Sequence, residues 1–521
     1  MNKLSNFQYL NKELDKVKKL FTEKKYETVI IKSKKIIKKF NKAIPFYNFI
    51  GLALIEQKKY DKAYNFFYNA ALDNKNEASI LANLALINKI NKNYSEAEIY
   101  YKKVISIEPN QVFNYINYGN LKKDLKDYNQ AIHLFKKALD LNQNIPEIYI
   151  NLAETHRSLG NFDLTREYCN QLNLKFPLIT RADDILSKII DYNLDDSHQK
   201  LMLNKLKLLT SDVDKITINF ALAKSYEDQK NYKTSLEYLK VANNLKFHTY
   251  DNYNINDEIK KFSQIKNSYL QLKKLLNFND IQDHKNIIFI VGLPRSGTTL
   301  LHQMISKKEN IFGLGELVFF NEYITNLINK NDDKDMINIS NDIKEKFNKL
   351  IKDINFQEEI LVEKTPDNFL WIGILKLIFP KAKIIHISRN LKDNIFSLYK
   401  HNFEQNSYIW SYNDAHLITY INEYVDIMDF WQNEFKHEIF NMDYEKLVLN
   451  PEISIKKVFD YCNLKFDSDI LNYTNSNTPI DTLSSVQSRK PIYTNSVNFY
   501  KNFENFTDLF KKYDEIKKKP H

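Results

Sequence analysis

The sequence predicts an α-helical repeat superhelix followed by an α/β, P-loop-like domain built on a parallel sheet. Three observations carry this reading: a 34-residue self-similarity early in the chain, a switch near residue 282 to short apolar runs alternating with helical patterns, and a glycine-bearing loop between one such run and a helix. A sustained period of roughly 20–50 residues marks stacked supersecondary units. Short apolar runs alternating with helices mark βαβ units around a parallel sheet.

The repeat frame is set by Tyr26-E-T-V, Tyr60-D-K-A, Tyr94-S-E-A, Tyr128-N-Q-A and Phe162-D-L-T, spaced by 34 residues. Aromatic or apolar residues stand 16 positions before the small one (Tyr47, Leu81, Tyr115, Tyr149), and glycine or alanine 12 before it (Gly51, Ala85, Gly119, Ala153). A large residue follows four later, as Phe67, Tyr101 and Phe135. This is the tetratricopeptide period, in which small residues let two helices approach and large ones fill the gap between neighbours. The frame weakens after Pro177 and returns once, shifted by two, at Phe220–Ala242. The expected division is therefore 1–178 for the repeats, 179–280 for a degenerate repeat and helical connector, and 281–521 for the α/β domain. Arrays of this kind present a face to extended peptide, so a protein or peptide partner is expected.

At 521 residues the chain can hold two or more full cores. With 43% hydrophobic and 27% charged residues it falls among ordered globular proteins. The formal charge of +10 is scattered rather than gathered into a stripe, so no nucleic-acid partner is expected and the excess suits an anionic cofactor. Two cysteines, Cys169 and Cys462, build neither a disulfide framework nor a metal site, and no metal is expected. The first residues lack the apolar region of a signal peptide and no apolar run has the length of a membrane span, which makes cytoplasmic the expected localisation.

The α/β half opens with NIIFIVGLPRSGTTLL, residues 286–301. Ile287–Val291 is a continuous apolar run suited to a buried parallel strand. Gly292, Pro294 and Gly297 then force a tight loop, and Thr298 onward resumes helical spacing. Such a loop cradles an anion, because the first N–H groups of a helix have no internal partner and its dipole favours negative charge. Aligned on the nucleotide triphosphate loop, the lysine position holds Thr298, which disfavours an NTPase. Further strands are expected at 359–364, ending on Lys364, and at 383–388, followed by Arg389 and a helix. Ligands of open parallel sheets sit at these carboxyl ends.

PRSGTT resembles the 5′-phosphosulfate loop of sulfotransferases that use 3′-phosphoadenosine 5′-phosphosulfate, most closely the protein-tyrosine sulfotransferases and repeat-fused bacterial relatives. The resemblance extends over most of 282–505 and implies a transferase needing no metal. It implies that Arg295, Ser296, Gly297, Thr298 and Thr299 hold the donor's 5′ side. Arg389 and Ser397, in ISRNLKDNIFSLY, match the 3′-phosphate pair, for which a planar guanidinium is suited. Tyr444 matches a tyrosine lying by the nucleotide, and Ser484, Arg489 and Lys490 match a loop that closes over it. Glu316, in IFGLGELVFF, matches the family's general base. Lys364, in VEKTP, matches the lysine that bridges the sulfate and the leaving oxygen, a task Arg295 can share. His302 and His386 rank below Glu316 as bases. Leu317-V-F-F follows Glu316 where the family carries basic residues that receive an acidic peptide, a departure from its pattern.

The expected function is thus a sulfotransferase acting on an acceptor hydroxyl, with protein tyrosine as first acceptor. Two alternatives stay open: the same donor with a carbohydrate or lipid acceptor, using the helical insert 325–357, or a repeat adaptor that binds nucleotide without turnover.

Overall fold

The computed structural model describes residues 3–275, 286–317, 319–328, 333–354, 359–403, 407–475, 486, 489 and 491–517. The chain divides into two compact units, Met1–Thr155 with Lys349–Asn355 and His156–Asn348 with Phe356–His521.

The first unit is a run of antiparallel helices. Helices begin at Tyr26, Tyr60, Tyr94 and Tyr128, the residues that set the repeat frame, and a further one in the second unit begins at Phe162. A periodicity unnoticed in the side chains appears in the backbone. Lys24, Lys58, Lys92, Lys126 and Gly160 all take positive φ two residues before those helix starts, and Lys230 does so before the helix Tyr232–His248. The residue past a helix end often turns left-handed to satisfy the last carbonyls, so each lysine holds the place glycine would fill more easily.

The small-residue rule has a direct physical form here. A Cβ built on Gly51 would lie 1.9 Å from the Phe67 ring, and one on Gly119 would lie 2.5 Å from the Phe135 ring. Phe67 is wholly buried, so its ring has nowhere to move. Alanine normally gains about 1 kcal/mol over glycine inside a helix, whereas overpacking a filled core costs about 1–3 kcal/mol. Gly51→Ala is therefore expected to lower the melting temperature of the repeat unit, followed by far-ultraviolet circular dichroism. An unchanged or raised midpoint would show that this contact is slack.

The second unit is organised by a five-stranded parallel sheet in the order β2-β3-β1-β4-β5. The strands are β1 (Asn286–Val291), β2 (Ile311–Gly315), β3 (Ile360–Glu363), β4 (Lys383–Ser388) and β5 (Ile439–Asp443). β1, β3 and β4 match the sequence-predicted strands; β2 and β5 were not predicted. Both are edge strands, and β2 carries two glycines in five residues, so neither has the continuous apolar signature of the centre. β1 pairs with β3 on one side and β4 on the other. The strand order reverses there, and the loops leaving all three strands gather at their carboxyl ends.

One face of the sheet buries Ile288, Ile290, Ile385 and Ile387 against Leu301, Met304, Leu447 and Phe459. The other face is aromatic, with Phe289 packed edge-on against Phe320 at 5.4 Å and tilted against Phe379 at 6.1 Å. The helix Ile255–Leu275 belongs to this core. Its Tyr269 packs edge-on to Trp431 at 5.1 Å and donates to Glu434 at 3.0 Å. Among the described residues, no helix is long and apolar enough to cross a membrane.

Candidate active site

β1 delivers the chain into the loop 292–297, and backbone conformation dictates its glycines. Gly297 caps the helix Thr298–Ile305 at φ +107°, and a Cβ there would lie 2.4 Å from the Tyr444 ring. A Cβ on Gly292 would lie 2.3 Å from the Ile387 carbonyl oxygen. Neighbouring loops pin the turn. The Gly292 amide donates to Pro366 O at 3.1 Å, Asn394 Nδ2 to Pro294 O at 2.8 Å and Arg389 Nη1 to Arg295 O at 3.3 Å.

Arg295, Gly297, Thr298, Thr299, Glu316, Arg389, Ser397 and Tyr444 all line one cavity of about 900 Å³. Ser296 is buried beneath this lining, and its Oγ accepts or donates no hydrogen bond among the described residues; Arg389 Nε is likewise buried without one. The Arg389 guanidinium lies 5.0 Å from the Tyr444 ring centre and donates to Ser496 O at 2.5 Å, while the Tyr444 and Ser496 hydroxyls share a 2.8 Å hydrogen bond. Burial, with the Arg389 charge adding to it, pushes the Arg295 guanidinium down to about 10. Two guanidinium groups on one cavity, an idle buried hydroxyl and a helix N-terminus together favour an anionic ligand.

Lys364, at the end of β3 and 1% exposed, donates to Glu316 Oε1 and lies 3.4 Å from Thr299 Oγ1. The Glu316 side chain keeps 41% of its surface open. A buried cation beside the anion loop thus holds an accessible carboxylate at the cavity wall. Arg489 donates to Ser158 O at 2.6 Å, stands against Gly160, and is not among the residues lining the cavity. Ser484 and Lys490 lie outside the described residues. His386 is held between Asn441 at 2.9 Å and the Tyr424 hydroxyl at 2.6 Å, and burial lowers its pKa.

Residues 287–468 match the sulfotransferase family, and 78–111 and 114–145 match the tetratricopeptide repeat. The C-terminal half carries a sulfotransferase-family domain. An uncharacterized protein of Aquifex aeolicus (strain VF5) is 30% identical over 238 residues, covering 43% of this chain and 31% of that protein. This chain therefore spans less than a third of that relative. A Caenorhabditis briggsae protein named "Putative protein-tyrosine sulfotransferase" is 22% identical over 203 residues, 37% of this chain and 71% of its own. Among solved structures, the sulfotransferase domain of the Synechococcus PCC 7002 olefin synthase aligns with TM-score 0.32 and 18% identity, over 46% of this chain and 98% of that one. The APC/C hetero-tetramer Cut9-Hcn1 aligns with TM-score 0.33 and 20% identity, over 45% and 46%.

Several residues of the sulfotransferase domain's site gave no warning in the sequence. Glu363, fully buried, accepts from Leu317 N at 3.2 Å, Thr365 N at 3.2 Å and Asn368 Nδ2 at 2.7 Å, and its carboxyl also meets the Thr365 hydroxyl. That hydroxyl lies 3.0 Å from Leu317 O. The network ties the end of β3 to the residue following Glu316. Asp393 accepts from Asn498 N at 2.7 Å and Tyr500 N at 2.9 Å, anchoring the stretch that supplies Tyr493 and Ser496 to the cavity. Part of the cavity lining comes from helical residues ahead of β1, among them Lys188, Lys224 and Glu227. Their signal was hidden because a repeat pattern identifies packing positions, and these are polar residues at its end.

Proposed function

We propose that the chain is a sulfotransferase that moves sulfate from 3′-phosphoadenosine 5′-phosphosulfate to an acceptor hydroxyl, with a protein tyrosine as the leading acceptor. The observation that carries the reading is the convergence on one cavity of the loop 292–299, Arg389 and Ser397, and the Lys364–Glu316 pair. When bound, the donor supplies the transferable sulfuryl group. Arg295, Ser296, Gly297, Thr298 and Thr299 would hold its 5′ end through loop amides, hydroxyls and guanidinium. Arg389 and Ser397 would hold the 3′-phosphate, with Tyr444 beside the nucleotide.

Lys364 and Arg295 neutralise negative charge at the reacting end, where fixed cations in a dry site are worth most. Glu316 Oε accepts the hydroxyl proton of the acceptor, a role its exposure permits and its pairing with Lys364 orients. The repeat array is proposed to bring a protein or peptide to the enzyme, the common use of such arrays.

Calorimetric titration with adenosine 3′,5′-bisphosphate, beside ATP with Mg²⁺, tests the donor. Selective binding of the bisphosphate is expected, weakened roughly 10–100-fold in Arg389→Ala, since hydrogen bonds to charged groups contribute about 1.5–3 kcal/mol each. Binding of ATP alone would overturn the assignment and return the loop to the nucleotide triphosphate class.

A further inference from the structure

The helix Leu391–Tyr399 follows Arg389 and carries Ser397, and its two ends are held in different ways. At its N-terminus the Asn390 side chain accepts from Lys392 N at 3.0 Å and Asp393 N at 3.3 Å, an ordinary local cap. A helix C-terminus leaves its last four carbonyls without partners inside the helix. Three of them are met by the residues that follow: Phe396 O by Lys400 N at 3.1 Å, Leu398 O by His401 N at 3.2 Å, and Ser397 O by His401 Nδ1 at 2.6 Å. The last, Tyr399 O, takes its donor from elsewhere in the chain. Asn243 Nδ2, on the helix Tyr232–His248, reaches it at 3.0 Å.

Lys246 stands three residues further along that helix and so on the same face. Its Nζ donates to Asn402 Oδ1 at 2.5 Å and to Phe403 O at 2.6 Å. Phe403 N in turn donates to the Tyr412 hydroxyl at 3.0 Å, which fixes the Phe403 backbone on both sides. Lys246 is buried, and burial holds its pKa down at about 8, so the ammonium is placed there at a cost that its hydrogen bonds offset. On the neighbouring helix Asp212–Asp228, Glu227 accepts from Lys400 Nζ with both carboxylate oxygens, at 2.8 and 2.9 Å. Ser397, Lys400 and Phe403 line the cavity, whereas Asn243 and Lys246 do not. The helix pair 212–248 lies in the compact unit that holds the sheet.

We infer that this helix pair is part of the catalytic module rather than of the docking array, with Asn243 and Lys246 as positioning residues that set Ser397 for the donor's 3′-phosphate. This rests on the sulfotransferase reading of the same site and adds to it residues that never touch the ligand. They act through the segment 397–403: a shift of the last helical turn moves the Ser397 hydroxyl, and a hydrogen bond weakens steeply as its distance and angle depart from the optimum. Lys246→Met keeps the apolar stem of the side chain and removes its donors, leaving Phe403 O and Asn402 unheld.

The test is calorimetric titration of the full chain with adenosine 3′,5′-bisphosphate and with adenosine 5′-phosphate, which lacks the group that Ser397 is set for. In Lys246→Met the bisphosphate affinity is expected to fall about tenfold, part of the roughly 10–100-fold loss expected for Arg389→Ala, while the monophosphate affinity holds within about twofold. General loosening of the fold would weaken both ligands alike. In a Ser397→Ala background the same substitution should cost little more, because two changes that act through one contact do not add. Asn243→Ala, which removes the donor to Tyr399 O, takes the place of Lys246→Met if that variant does not fold. A bisphosphate-to-monophosphate ratio that the substitution leaves unmoved, or a loss undiminished in Ser397→Ala, overturns the positioning role, while a native preference for the bisphosphate leaves the donor assignment standing. A native chain that binds the bisphosphate no more tightly than the monophosphate removes both.

Discussion

Glu316→Gln is expected to lower the turnover of sulfate transfer by about 10²–10⁴-fold, the range that a positioned general base contributes. Glutamine keeps the length of the side chain and an oxygen for the Lys364 Nζ–H, so the packing around the pair is preserved while the proton acceptor is lost. Glu316 lines the cavity with much of its side chain open, and Lys364 is closed beneath it. A loss of geometry would damage donor binding as well. The measurement is therefore paired: kcat with labelled sulfate, and calorimetric affinity for adenosine 3′,5′-bisphosphate. A collapsed kcat with affinity held within about threefold, roughly 0.7 kcal/mol, assigns the carboxylate to proton transfer. Retained turnover would remove Glu316 from that role and reopen the histidines, of which His386 is already committed to Asn441 and Tyr424.

What the sequence made legible follows from which residues carry their own geometry. A 34-residue frame marks helix starts because each Tyr-x-x-small unit must meet its neighbour, and five helices begin on the frame. Central parallel strands announce themselves as unbroken apolar runs, and Lys364 and Arg389 could be placed because they stand immediately after such runs. Residues whose role depends on distant partners stayed hidden. Glu363 reads as an ordinary strand-end carboxylate until Leu317, some 46 positions earlier, folds beside it. Asp393 and Asn394 read as a solvated helix face, yet both are buried, one holding the stretch after Asn498 and the other the loop at Pro294. The Tyr408–Asp367 pair joins segments 41 residues apart. In each case the residue type says "polar surface" on average, and only tertiary contact reverses it.

Glu363 gives the second large effect, and its sign is the reverse of a salt-bridged carboxylate. Burial pushes this carboxyl up to about 7 from an ordinary value of 4.5, against the hydrogen bonds it accepts. The hydrogen-bond count agrees with a protonated group. Thr365 has a single hydroxyl proton lying against both Leu317 O and Glu363, so a Glu363 proton donated to Thr365 Oγ frees the hydroxyl for Leu317 O. Below the ordinary value, folded and unfolded chains both hold the proton. As pH rises from there to about 7 the unfolded chain releases it and the fold does not, so stability falls by about 3 kcal/mol and then levels off. Glutamine keeps an oxygen for Thr365 N and Asn368 Nδ2 and can donate to Thr365 Oγ, but its amide nitrogen cannot accept from Leu317 N, a loss that does not vary with pH. Glu363→Gln is thus expected to gain on the native protein by up to about 3 kcal/mol between pH 5 and pH 8, on top of a constant offset from the lost Leu317 bond. All three tryptophans, Trp371, Trp410 and Trp431, lie in the unit that holds Glu363, so denaturant titration followed by tryptophan fluorescence reads this unit alone. Other carboxylates contribute equally to both proteins, which makes the difference between the two pH profiles the decisive quantity. A difference that stays flat from pH 5 to 8 would mean that Glu363 is ionised in the fold, and that Leu317, Thr365 and Asn368 stabilise the charge beside Lys364 rather than the neutral acid.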